Sequence, residues 1–161
     1  MQFAFVLAVL AFFATVFSPA TSQAISISQL DDELMCLALN GYYEARGESA
    51  RGEMMVNQVV LNRVDDGRFG ETICDVVKDK AERSRRCQFD WVCGSAIRRP
   101  ADMEAFERSL ILAQELLYRR DQVPDLTNGA TYYHHRRVKP NWSRVFTKTQ
   151  AYGSHIFYAD N

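Results

Sequence analysis

The sequence predicts one α+β domain, mainly helical, with a small β-region near its C-terminal end. Three observations predict it. Apolar residues recur every three or four positions through 52–64 and 102–118, the period of a helix with one buried face. Short β-prone triplets (Thr131-Tyr132-Tyr133, Val145-Phe146-Thr147, Ile156-Phe157-Tyr158) occur only after Pro124 and are separated by Gly, Pro and Asn. No internal repeat and no low-complexity linker divides the chain, and 161 residues suit one core.

The first 24 residues stand apart. Met1 to Ala24 carries no Lys, Arg, Asp or Glu, and Phe3 to Phe17 is an almost unbroken apolar run of fifteen residues, short of the about 20 that span a bilayer. Ser22 and Ala24 fit a small-x-small cleavage pattern, so 1–24 reads as a secretory signal or short signal anchor and 25–161 as the exported domain. A buried N-terminal helix is the other reading of the same run.

In the domain, Leu30 to Asn40 reads as a first helix capped by Asp31 or Asp32. Gly52 to Val64 is a second, with Met55, Val56, Val59, Val60 and Val64 inward and Asn57, Gln58, Asn62 and Arg63 on other faces; Asp65-Asp66-Gly67 ends it. Glu71 to Lys78 forms a short third helix. Lys80 to Pro100 is a basic loop. Asp102 to Tyr118 is the clearest helix, with Phe106, Leu110, Ala113 and Leu117 in a stripe and its acids on a solvated face.

Charge and cysteines bound the function. A net charge of −1 provides no general attraction to nucleic acid. Its distribution is uneven: residues 31–75 carry net −6, residues 78–99 net +4 and residues 118–148 net +5. That pattern suits either ordinary solvated faces or a carboxylate-walled cleft with basic rims for an anionic polymer. The four cysteines are an even number in a chain read as exported. Of three possible pairings, Cys87–Cys93 makes a local staple and Cys36–Cys74 ties two helices. The spacing lacks any C-x-x-C pair, which disfavours zinc.

Chemistry concentrates in Tyr42-Tyr43-Glu44-Ala45-Arg46-Gly47-Glu48, where Gly47 breaks the first helix and leaves Glu44 at its C-terminus. The negative end of the helix dipole and aromatic neighbours both favour the protonated acid, which is how a general acid for glycosidic cleavage is made. A surface loop of carboxylates paired with Arg46 and Arg51 is the plain alternative. Downstream, Tyr132, Tyr133, His134, His135 and Trp142 offer rings and hydrogen-bonding groups for sugars.

Glu44-Ala45-Arg46-Gly47-Glu48, Val59-Val60-Leu61-Asn62-Arg63-Val64, Thr72-Ile73-Cys74-Asp75-Val76-Val77, Cys87-Gln88-Phe89-Asp90-Trp91, Gly129-Ala130-Thr131-Tyr132-Tyr133-His134, Pro140-Asn141-Trp142 and Gly153-Ser154-His155-Ile156-Phe157-Tyr158 follow in order. Together they resemble the SleB-type cell-wall hydrolase family. The resemblance implies a fold similar to lysozyme and resuscitation-promoting-factor domains. It also implies cleavage of the MurNAc–GlcNAc bond of peptidoglycan as a lytic transglycosylase, in bacterial cell-wall remodelling or as a phage endolysin. The catalytic Glu of the family falls on Glu44. Tyr133 and His134 match a motif expected to line the cleft; Glu48, Gln88 and Trp142 join them as candidate substrate contacts. Glu53 stands where the family usually has Gln, and Asp90 where Ser is common. The implied enzyme needs no cofactor or metal, works as an exported monomer in the periplasm or cell envelope, and meets peptidoglycan glycan strands. A membrane enters only transiently through 1–24. A non-catalytic peptidoglycan-binding module and a Cys/His amidase or peptidase, pairing Cys87 with His134, are the rival classes.

Overall fold

The computed structural model describes residues 27–78, 80–81, 86–87, 90–92 and 99–160. Among the described residues are four α-helices: α1 (Ile27–Ala45), α2 (Ala50–Asp66), α3 (Ile73–Lys78) and α4 (Met103–Tyr118). The two-residue strands β1 (Lys80–Ala81) and β2 (Arg86–Cys87) pair antiparallel, and a three-stranded sheet comprises β3 (Tyr132–His135), β4 (Thr147–Tyr152) and β5 (His155–Ala159). Among the described residues no helix is long and apolar enough to cross a membrane. The expected signal segment and the Cys87–Cys93 staple lie outside them.

α1 is the central element and packs on α2, α3 and α4. It buries Leu34, Leu37, Ala38, Leu39 and Tyr42, each large aliphatic side chain contributing about 1.5–3 kcal/mol of transfer free energy. The Tyr42 hydroxyl accepts the Ala101 and Asp102 N–H groups at 3.1 and 3.0 Å, while the Asp102 carboxylate caps Ala105 N–H at 3.0 Å. The core of α1 thus fixes where α4 begins. The helix starts at Ile27, earlier than expected, so Asp31 and Asp32 sit inside it and cap nothing. Cys36 and Cys74 form a disulfide with Cα atoms 5.3 Å apart, tying α1 to α3. It is the one bridge among the described residues.

α2 departs from its expected pattern. Asn57, Gln58 and Arg63 are buried, not solvated. Gln58 donates to the Pro124 carbonyl at 2.8 Å and accepts from Leu126 N–H at 2.9 Å. Asn62 donates to the Ala130 carbonyl at 2.9 Å, and Arg63 Nε to that of Thr131 at 2.7 Å. Burial works against charge on Asp125, yet hydrogen bonds from Thr127, Gly129 and Asn62 outweigh it and hold the carboxyl below its ordinary range. One side of α2 therefore satisfies the backbone of the 124–131 loop, whose polar groups would otherwise be orphaned, and aims the chain into β3.

Sheet order is β3-β5-β4, with β5 antiparallel to both neighbours. β3 and β4 therefore run parallel, and residues 136–146 must cross from one end of the sheet to the other. Alternation divides the side chains. Tyr133, His155 and Phe157 face the helices, where Phe157 joins Ala45, Met55, Val56, Val59 and Ala130 in a second core. Tyr132, His134 and Tyr158 face outward and are covered by Trp142 and Phe146 of the crossover. The expected strand at 145–147 begins only at Thr147; Val145 is 81% exposed.

Candidate active site

Glu44 is the penultimate residue of α1 and is half-buried. Its Oε2 accepts the Tyr133 hydroxyl at 3.4 Å, across 89 positions of sequence. Burial, and then the nearby Glu44 charge, pushes the Tyr133 phenol well above its ordinary range, so it remains a donor at every pH the fold meets. Its ring is held edge-on to His155 at 5.3 Å. The turn after α1 brings Glu48 back toward the sheet, with the Glu48 N–H bonded to the Ala45 carbonyl at 2.8 Å.

Glu48 locks that turn to the β4–β5 hairpin. Both of its carboxylate oxygens accept Ser154 N–H at 3.2 Å. A Cβ on Gly153 would lie 1.9 Å from Glu48 Oε2, and Gly153 has φ +52°. Only glycine meets both demands without strain. Ser49 repeats the tie, capping Gly52 N–H at 3.4 Å and meeting the Tyr152 hydroxyl at 3.2 Å. His155 is buried 3.8 Å from Glu48. Burial lowers the imidazole pKa, and Glu48 only partly opposes it. The ring is therefore neutral at neutral pH, and the contact is packing, not an ion pair.

Glu53, the departure from the family's usual Gln, occupies a different environment. It is buried between α1 and α4, and burial raises its carboxyl pKa against the opposing effects of a Ser109 hydrogen bond and the Arg108 charge. The Ser109 hydroxyl already donates to the Ala105 carbonyl at 3.1 Å. Glu53 Oε1 would be only 2.7 Å from a Cβ on Gly41, so α1 approaches α2 at a glycine one turn before Glu44. A pocket lined by Arg46, Glu48, Ala50, Glu53, Arg108, Ile111 and Leu112 opens on the α4 side and does not include Glu44.

The structure brings Glu44, Tyr133 and the Glu48 turn together. It does not bring His134 or Trp142 to them. The His134 ring lies on the outer sheet face, with Nε2 3.2 Å from the Tyr158 hydroxyl and Nδ1 3.0 Å from its neighbour's carbonyl. Trp142 packs edge-on to it at 5.5 Å. Gln88 lies outside the described residues. Trp91 is buried and stacks on Tyr43 at 5.1 Å, backing the C-terminal turn of α1. Sequence reasoning missed Gly153 and Ser154 as partners of Glu48; their signals were the Gly-Ser turn ahead of a β-prone triplet and their place in the family's Gly-Ser-His motif.

A sequence model of the cell wall hydrolase family matches residues 47–158. Two solved structures share the fold. One is the catalytic domain of the Bacillus cereus SleB protein, at 25% identity and a TM-score of 0.59, with 80% of this chain and 91% of that one covered. The other is the catalytic domain of the germination-specific lytic transglycosylase SleB from Bacillus anthracis, at 24% identity and a TM-score of 0.60, with 80% and 94% covered. No curated protein matches the chain.

Proposed function

The chain belongs to the cell wall hydrolase family, and from that premise we propose that it degrades peptidoglycan by cleaving the MurNAc–GlcNAc bond as a lytic transglycosylase, with Glu44 as its single acid/base. The observation that carries this reading is the division of labour among three nearby carboxylates. Glu44, half-buried at the end of α1, meets a phenol that donates to its Oε2 at 3.4 Å. Glu48 is committed to the Ser154 amide and only 13% of its side chain is exposed. Glu53 is buried against Gly41 and Ser109. Hydrolysis with two carboxylates requires a second one beside the sugar; of these three, only Glu44 is placed to serve.

One group suffices for transglycosylation. The acid form of Glu44 protonates the glycosidic oxygen, and the C1–O bond breaks, releasing the GlcNAc 4-hydroxyl. The resulting carboxylate accepts the proton of the muramyl 6-hydroxyl while that oxygen bonds to C1. A 1,6-anhydro ring closes and the enzyme regains its acid form, with no water consumed. Tyr133, held by His155, fixes the orientation of Glu44 through both steps, and the Glu48–Ser154 tie holds the loop beside it. We further propose export to the periplasm or cell envelope, where this substrate lies and where the Cys36–Cys74 bridge persists.

Mass analysis of muropeptides released from purified sacculi tests the reading. Products lighter by one water than their reducing-end counterparts are expected. Reducing-end muramic acid would replace transglycosylation with hydrolysis, and binding without release of soluble fragments would make the protein a binding module.

A further inference from the structure

We propose that the outer surface of the β3–β4 crossover is a docking face for an anionic lipid bilayer. The crossover, residues 136–146, is anchored from below: Trp142 stacks on Phe146 at 5.6 Å, and both press on Tyr132 at 5.5 and 4.6 Å. Its outward side carries Arg136, Arg137, Lys139 and Arg144, all exposed, with Lys148 just beyond, and residues 136–148 contain no Asp or Glu. None of these five cations forms an ion pair among the described residues. Elsewhere, Arg68 binds Asp66 and Asp160, Arg108 binds Glu104 and Arg119 binds Glu115, while the exposed Arg46 and Arg51 lie over the Tyr42 and Tyr152 rings. Among the described residues, the crossover with Lys148 gathers five such cations within thirteen positions and holds no carboxylate among them.

Two aliphatic side chains project among these cations. Val138 stands between Arg137 and Lys139 at 52% exposure, and Val145 follows Arg144 at 81%. A branched apolar tip flanked by cations matches the bilayer interface, where the tip enters the headgroup region and the cations meet anionic headgroups. A glycan asks for something else, an exposed aromatic face to stack on. Here the rings of Trp142 and Phe146 are half-buried against each other and the sheet, so the exposed apolar atoms are aliphatic. The face lies opposite the Tyr133–Glu44 side of the sheet, and a protein docked through it keeps Glu44 directed away from the bilayer. The inference does not rest on the catalytic reading.

The test is co-sedimentation of the full chain with vesicles of phosphatidylglycerol and phosphatidylcholine, compared with phosphatidylcholine alone. The difference between the two removes any contribution of residues 1–24 that ignores lipid charge. The wild-type chain should show an anionic increment that fades at high salt. The double variant Arg144→Glu/Val145→Glu should lose about tenfold or more of it, with unchanged melting temperature and unchanged lysis of lipid-free sacculi. Arg137→Glu/Val138→Glu, at the other tip, should repeat the loss and guards against a folding defect in either variant. Absence of an anionic increment overturns the proposal, as does its retention in both variants. Loss of binding to lipid-free sacculi in the variants would reassign the face to the glycan and also overturn it.

Discussion

The two faces of the three-stranded sheet are made from one run of residues, Tyr132-Tyr133-His134-His135, and do different work. On the helix-facing side, Tyr133 bonds to Glu44 and leans on His155, beside the Glu48–Gly153 contact. On the outer side, Tyr132 and His134 sit in a cluster with Trp142, Phe146 and Tyr158. Both faces are aromatic and both carry a histidine, so composition does not tell them apart. What differs is the partner: a carboxylate at a helix end on one side, a lid of rings on the other. Ring chemistry that resembles sugar recognition is, on the outer face, the packing that closes a small sheet.

Substitutions can break or sharpen this contrast. The largest effect on folding belongs to the outer face. Trp142→Ala removes the ring that bridges the crossover to His134 and Tyr158 and should cost about 3 kcal/mol of stability, while the folded fraction keeps the wild-type KM for sacculi. Denaturant unfolding with kinetics on the same preparation checks both; a raised KM with intact stability would move Trp142 into the cleft. Next, Gly153→Val forces a β-branched residue into φ +52° against Glu48 and should cost about 2 kcal/mol or more, together with activity, because it releases the turn beside Glu44. Thermal unfolding should show the loss, and Gly153→Asn, which tolerates that backbone better but still crowds Glu48, should recover part of it.

Tyr133→Phe should separate the faces most cleanly. It keeps the ring and removes the donor to Glu44, so kcat should fall about tenfold, in line with the roughly 1–3 kcal/mol of a hydrogen bond to a charged group, with little change in melting temperature. A stability loss without a rate loss would make Tyr133 structural. The smallest effect concerns Glu53. Its raised carboxyl pKa means the folded state holds the proton more tightly than the unfolded state does. Stability from that proton is complete below the ordinary glutamate range and declines as pH rises through the raised value. Glu53→Gln should therefore melt higher than wild type at pH 8, with the advantage vanishing near pH 4. Equal melting temperatures at pH 8 would show that burial costs this carboxylate nothing.

Much of the helical lobe is legible because periodic valines and leucines mark α2 and α4, and Gly47 and Gly67 mark helix ends. The polar side of α2 is not. Gln58 and Asn62 look solvated by period alone, since nothing local announces that the loop at 124–131, some 66–68 residues on, needs their hydrogen bonds; Asn57 is taken up instead by Asn40 of α1, which donates to it at 2.9 Å. Val145 looks like a strand residue by propensity, but β4 is set by pairing with β5 and includes polar Thr149 and Gln150. In the site, helix punctuation places Glu44 at the end of α1. Alternation states that Tyr133 and His134 point opposite ways without saying which meets the helices. That choice is made by Phe157 and the second core, and it determines that Tyr133 reaches Glu44 while His134 does not.

The central claim is that one carboxyl, on Glu44, carries both proton transfers. The most direct measurement is the lytic rate of Glu44→Gln on purified sacculi, with folding verified by its melting temperature. Removal of a general acid should lower the rate by about 10²–10⁴-fold and leave melting unchanged, since the amide preserves the shape of the side chain. A folded Glu44→Gln protein that lyses sacculi at nearly the wild-type rate would contradict the account.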